Sequence, residues 1–220
     1  MISRSAAVLL DMDGVVVDNM SYHERAWREF FRARGLAMDG GEFFRKTSGM
    51  PTRDVLAYFF KREIAGEELE AFHREKEELY RALYRPHLKP AAGLLSFLDK
   101  SRQAGFRVGL GTGSLAENID FVLDGLSLRS RFDAVVGAHD VRRGKPHPET
   151  FLTLAERLGA PPERCVVFED SLLGEEAARA AGMAVVAVTT SHAASDFAAP
   201  ALAVRDFASL EPRTLLKFIK

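Results

Sequence analysis

Cysteine is almost absent from this chain: Cys165 stands alone among 220 residues. An intramolecular disulfide and any CxxC-type metal site are therefore excluded. With Val166, Val167 and Phe168 beside it, the thiol reads as a small buried hydrophobe. Charge of one sign is also lacking, since 30 basic residues face 31 acidic ones and the net charge is −1. That balance argues against nucleic acid or a membrane surface as a partner. No apolar run approaches the roughly 18 residues of a membrane span, and no signal-peptide h-region of usable length is present. The expectation is a soluble cytoplasmic protein. Repeats and low-complexity tracts are missing too. What remains is a chain 47% hydrophobic, enough for one large domain or a core with a smaller appendage.

The most informative stretch is residues 6–14, Ala-Ala-Val-Leu-Leu-Asp-Met-Asp-Gly. Five apolar residues without alternation suit a strand buried on both faces of a parallel sheet. Such a strand has no structural use for two carboxylates at its end, where α/β sheets bind ligands. Period-2 geometry puts Asp11 and Asp13 on one side if the extended conformation persists. Two acids that close repel unless a proton or a divalent cation intervenes. The same residues also fit a plainer reading, in which Asp11 caps a helix and Asp13-Gly14 makes a turn.

Further along, apolar runs of strand length occur at 106–111, 134–137, 165–168 and 184–188. Helical patterns at 116–123, 148–158 and 172–181 alternate with them. Pro148 suits a first helical position; Gly159 and Gly182 suit the residue past a helix end. This alternation predicts an α/β fold with a doubly wound parallel sheet. Residues 19–84 break the rhythm. They are helical in pattern, with His23, Ala26, Trp27 and Phe30 sharing one face. Leu69, Phe72, Lys76, Leu79 and Leu83 recur at helical spacing in a second segment. An insertion of this kind in the first crossover is a lid by position.

Polar groups line up with the expected strand ends. Thr112-Gly113-Ser114 follows the second strand, Gly144-Lys145-Pro146 the third, and Glu169-Asp170-Ser171 the fourth. Acids, hydroxyls and an ammonium at one rim are what a phosphoryl group requires, because its oxygens must be neutralised and a nucleophile held in line.

These residues resemble the four ordered motifs of the haloacid-dehalogenase-like phosphotransferase superfamily: Asp11-Met12-Asp13-Gly14, Thr112, Lys145 and Glu169-Asp170. The resemblance covers essentially the whole chain. It is nearest the β-phosphoglucomutase-like subgroup, through Tyr22-His23-Glu24-Arg25-Ala26-Trp27, the Gly144–Phe151 stretch and Glu169-Asp170-Ser171-Leu172-Leu173-Gly174. It implies a Rossmann-like core of residues 1–17 and 88–220 with a helical cap at 18–87. It also implies that Asp11 attacks phosphorus and that Asp13 serves as general acid and base. Mg2+ would be held by Asp11, the carbonyl of Asp13 and Asp170, with Glu169 nearby. Thr112 and Lys145 would take phosphoryl oxygens. Gly113, Ser114, His23, Trp27, Arg53 and Lys76 are the expected substrate contacts. The partner expected is a small phosphorylated metabolite, and the chain is expected to be a monomer.

Plainer roles exist for several of these. Ser114 with Glu117 reads as a helix capping box, and Ser171 as a cap. His23, on an otherwise apolar helix face, reads by default as a buried structural histidine, with substrate contact as the alternative. Lys76 either snorkels outward or meets a second anionic group. Arg53, in the 47–53 stretch, sits one residue from the subgroup's arginine position. His139 and His147 read as loop or capping residues. Gly144-Lys145 is no P-loop, since Pro146 stands where Ser or Thr would be. A mutase needs a second phosphate site, and the subgroup's Ser-Lys-Asn is here Ser114-Leu115-Ala116. Losing charge-assisted contacts of about 1.5–3 kcal/mol each weakens such a site by an order of magnitude or more. The reading is a phosphatase, with β-phosphoglucomutase as the alternative and a catalytically silent phosphometabolite-binding protein as a third.

Overall fold

A computed structural model describes residues 6–38, 47 and 50–220. The chain divides into two compact units, one formed by Met1–Asp18 with Lys89–Lys220, the other by Asn19–Leu88.

The larger unit is built on six parallel strands: β1 (Ala7–Leu10), β2 (Arg107–Gly111), β3 (Ala134–Val136), β4 (Cys165–Glu169), β5 (Ala184–Val188) and β6 (Leu202–Val204). Their order is β3-β2-β1-β4-β5-β6, so the expected doubly wound parallel sheet is what forms. Strand β1 is central and wholly buried, which explains its unbroken apolar run. The winding reverses at β1: β2 and β3 lie on one side and β4 to β6 on the other. A crevice at the carboxyl ends of β1 and β4 follows from that reversal. Register levels the ends, because Leu10 pairs with both Leu110 and Phe168. Asp11, Thr112 and Asp170 therefore leave the sheet together.

Helices of this unit cover both faces. Leu94–Gln103, Ala116–Gly125, Glu149–Leu158 and Leu172–Ala180 are the four long ones among the described residues. On one face Leu9, Val136, Val167 and Cys165 pack against Phe151, Leu154, Leu158 and Ala177. On the other, Phe168 meets Phe97 and Phe207 at centroid distances of 5.2 and 5.3 Å. Gly159 takes the left-handed conformation that ends Glu149–Leu158, while Pro148 stands just outside the helix rather than at its first position. Two elements were not expected. Leu94–Gln103 buries Leu94, Phe97, Leu98 and Ser101, a clear helical spacing. Strand β6 is only three residues long and partly exposed, as suits a sheet edge.

The smaller unit contains α-helices Met20–Arg32, Thr52–Phe60 and Gly66–Tyr84. Trp27, Phe30, Phe31, Val55, Leu56 and Ile64 form its core, with Phe72 and Leu79 packed against it. Aromatic rings dominate, and Trp27 stacks on Phe31 at 5.3 Å. Among the described residues, no helix is long and apolar enough to cross a membrane.

Candidate active site

Four loops of the larger unit deliver the polar groups. Asp11 follows β1 directly, its amide bonded to the Phe168 carbonyl at 3.0 Å. Lys145, in the loop after β3, places Nζ 2.9 Å from Asp11 Oδ1 and 2.5 Å from Glu169 Oε1. The peptide between Lys145 and Pro146 is cis. Asp11, Glu169 and Asp170 each bring a carboxylate oxygen to within 4.8 Å of the others, and all three are buried. Ser114 donates to Asp13 Oδ2 at 2.6 Å. Thr112 is buried, and its Oγ1 accepts from the Ser114 amide at 3.1 Å. Gly113 between them is exposed.

The capping-box reading of Ser114 is corrected by this geometry. The helix begins one residue later, at Ala116, with Leu115 in the capping position. The Ser114 hydroxyl is thereby turned to a carboxylate far away in sequence. Ser171, by contrast, does cap: its Oγ accepts from the Gly174 amide at 3.0 Å. The same hydroxyl donates to Glu169 Oε2, which also takes the amides of Asp170 and Ser171. Both oxygens of Glu169 are thus engaged, one by three donors and one by Lys145. His147 accepts from the Glu149 amide at 3.3 Å, a local capping role.

Burial drives the electrostatics. The Asp11 carboxyl is pushed up to about 7, first by burial and then by Glu169 and Asp13, against the pull of Lys145. Asp170 is raised well above the ordinary range by burial, Glu169 and Asp11, while Ser191 and Lys145 oppose the shift. Burial works against the Lys145 charge, but Asp11 and Glu169 outweigh it and raise its pKa. Lys145 pairs directly with Asp11 and Glu169 and acts on Asp170 only through space. Asp11 Oδ1 meets Lys145 obliquely and accepts no well-aligned hydrogen bond. An all-oxygen donor set with an under-satisfied buried oxygen fits a hard divalent cation.

A stability prediction follows with a definite sign. Asp11 has a folded-state pKa above its ordinary 3.8, so its contribution is fully present below that value and is lost as pH rises through about 7. A divalent ion held among these acids would offset their mutual repulsion. Mg2+ is expected to raise the thermal midpoint of EDTA-treated protein more at roughly pH 8 than at about pH 5. Equal shifts at both values would contradict the buried-acid description.

Glycines set the tolerances. Gly14 has φ +75° and lies against Asp170, where a Cβ would overlap the carboxylate. A Cβ on Gly174 would overlap the Glu169 carboxyl group in the same way. Glu169 is held at both oxygens and has nowhere to retreat. Gly174→Ala is expected to cost about 1–3 kcal/mol in urea unfolding and to reduce turnover by loosening Lys145.

In the smaller unit, Lys76 is buried rather than snorkelling outward. Its Nζ lies 2.9 Å from His23 Nδ1 and 2.8 Å from Glu77 Oε1, and it stands over the Trp27 ring at 5.2 Å. Burial would raise the Glu77 carboxyl, but Lys76, His73 and His23 together hold it well below the usual range. His23 stacks on Tyr80 at 3.7 Å. Arg53 is exposed and pairs with its neighbour Asp54 at 3.2 Å. Residues 48 and 49 of that stretch lie outside the described residues. The loop after β5 carries groups that sequence reasoning missed: Thr190, Ser191 and His192, whose partners lie on distant segments.

Fold and site together define an α/β enzyme that handles phosphoryl groups. The chain belongs to the haloacid dehalogenase-like hydrolases, whose family pattern it matches over residues 6–182. It is 38% identical over 190 residues to the fructose-1-phosphate phosphatase YqaB of Escherichia coli K12, covering 86% of this chain and 98% of that protein. Over 177 residues it is 32% identical to the phosphorylated carbohydrates phosphatase of Thermotoga maritima, covering 80% and 82%. Among solved structures, a β-phosphoglucomutase from Clostridium difficile matches with a TM-score of 0.84 at 26% identity, covering 97% and 96%. The chain is accordingly an enzyme of the phosphatase or phosphomutase type.

Proposed function

We propose that this enzyme is a Mg2+-dependent phosphatase that releases inorganic phosphate from a small phosphorylated metabolite of the sugar-phosphate class. The observation that carries the reading is the buried Asp11–Lys145–Asp170 group beside the Ser114–Asp13 hydrogen bond. Asp11 attacks phosphorus, a new oxygen–phosphorus bond forms, and the ester oxygen leaves with a proton from Asp13. Asp13 then takes a proton from water, which attacks the aspartyl phosphate and frees both Asp11 and phosphate. Splitting one displacement into two lets a single carboxylate serve twice.

Asp11 and Asp170, with the carbonyl of Asp13, are the groups proposed to hold the ion. When bound, Mg2+ would neutralise phosphoryl oxygens that otherwise repel the Asp11 carboxylate. Glu169, with both oxygens engaged, keeps Lys145 in place instead. Lys145 and Thr112 are proposed to meet the remaining phosphoryl charge. The substrate class rests on the relatives, two of which are named for phosphorylated sugars or carbohydrates.

Phosphatase is preferred to mutase because Leu115 and Ala116 follow Ser114, and neither offers a cation to a second phosphate. A structural match to β-phosphoglucomutase keeps the alternative in view. A panel of sugar phosphates with Mg2+, assayed for inorganic phosphate, tests the reading; Asp13→Ala is the control. Phosphate release lost in that variant supports a phosphatase. Conversion of β-glucose 1-phosphate to glucose 6-phosphate with a bisphosphate primer, and little free phosphate, would establish the mutase. Saturable binding without turnover would establish a silent binding protein.

A further inference from the structure

Asp170 and the segment after β1 are held from outside by three consecutive residues that the catalytic reading does not use. Thr190 Oγ1 donates to the Gly14 carbonyl at 2.6 Å. Ser191 Oγ donates to Asp170 Oδ2 in a short hydrogen bond. His192 Nδ1 lies 2.9 Å from the Asp170 carbonyl oxygen, which only accepts, so that nitrogen carries the proton. Thr190-Ser191-His192 follows β5, the neighbour of β4 in the sheet. One loop thereby grips both the segment after β1 and the segment after β4.

We infer that Thr190-Ser191-His192 is a positioning clamp for the metal-binding carboxylate, with Ser191 its central residue. The inference rests on the proposal that Asp170 is a metal ligand. Asp170 Oδ2 is boxed between the Ser191 hydroxyl and Gly14, where even one methyl group would overlap it. The hydrogen bond fixes that oxygen, and the absence of a side chain at Gly14 leaves it just enough room. Ligating carboxylates depend on such outer partners, and their loss typically weakens metal binding 10–100-fold. Thr190 does the complementary task on the first loop by fixing the Gly14 carbonyl, next to the Asp13 backbone.

The test is Mn2+ titration of metal-stripped protein, followed by electron paramagnetic resonance. Wild-type protein is expected to bind the ion, and Asp170→Asn to lose it. Ser191→Ala is expected to raise the Mn2+ Kd by roughly tenfold or more, and Ser191→Thr, which keeps the hydroxyl, to restore most of the affinity. Thr190→Val is expected to weaken binding by a smaller factor than Ser191→Ala, because it releases a backbone carbonyl rather than the ligating carboxylate. A Ser191→Ala Kd equal to wild type, even with a lowered thermal midpoint, would overturn the clamp and leave a merely structural serine. Failure of wild-type protein to bind any Mn2+ would instead overturn the metal reading beneath it.

Discussion

Asp11→Asn is expected to reduce kcat by roughly 10^4-fold or more, because an amide has no anionic oxygen to attack phosphorus. The fold should survive the change. Lys145 keeps its 2.5 Å partner Glu169, so no ammonium is left buried without a counter-charge. One of three mutually repelling carboxylates disappears, so the metal-free variant at about pH 8 is expected to melt no lower than wild type. Acid quenching during turnover provides an independent check. Wild-type protein should retain a hydroxylamine-sensitive phosphoryl label, and the variant none. Residual turnover above about one per cent, with a label still trapped, would assign the nucleophile to another residue.

Legibility of this site follows local pattern: a residue whose own neighbours carry a signal is readable, and one defined only by partners elsewhere in the fold is not. Asp11 and Asp13 stand out because a wholly buried strand ends in acids for which the strand itself has no structural use. The fold class followed from alternation and from Gly159, whose left-handed conformation closes a helix. Leu94–Gln103 is equally patterned, with Leu94, Phe97, Leu98 and Ser101 buried at helical spacing. Ser114, by contrast, misleads. Its spacing to Glu117 satisfies a local rule, yet the hydroxyl serves Asp13, 101 residues earlier. Thr190 donates to a carbonyl 176 residues away, and Ser191 to a carboxylate 21 residues away. Nothing in a Thr-Ser-His triplet announces such partners. Lys76 shows a related limit within the smaller unit: its break in an apolar stripe is visible in the sequence, but the His23 contact from 53 residues earlier, beside the ion pair with Glu77, is not.

Lys145→Ala is expected to have the next largest effect, a fall in kcat/KM of roughly 10^3-fold. The ammonium is proposed to meet phosphoryl charge in a buried site, where a fixed cation is worth far more than in water. Its removal also strands Glu169, whose Oε1 loses its ion pair while the carboxyl stays buried. Breaking a buried pair from one side typically costs about 3–5 kcal/mol, so urea unfolding should register the loss. The pH dependence separates the two consequences. Lys145 is the chief influence lowering the Asp11 pKa, which stands near 7 despite it. Without the lysine, the carboxyl must hold its proton to still higher pH. A proton on Asp11 competes with both the ion and the attack on phosphorus. The acid limb of Mg2+ activation, measured below saturation, should therefore move upward by about one pH unit or more. An unmoved limb with the same loss of rate would mean that Lys145 serves the phosphoryl group alone and does not tune the nucleophile.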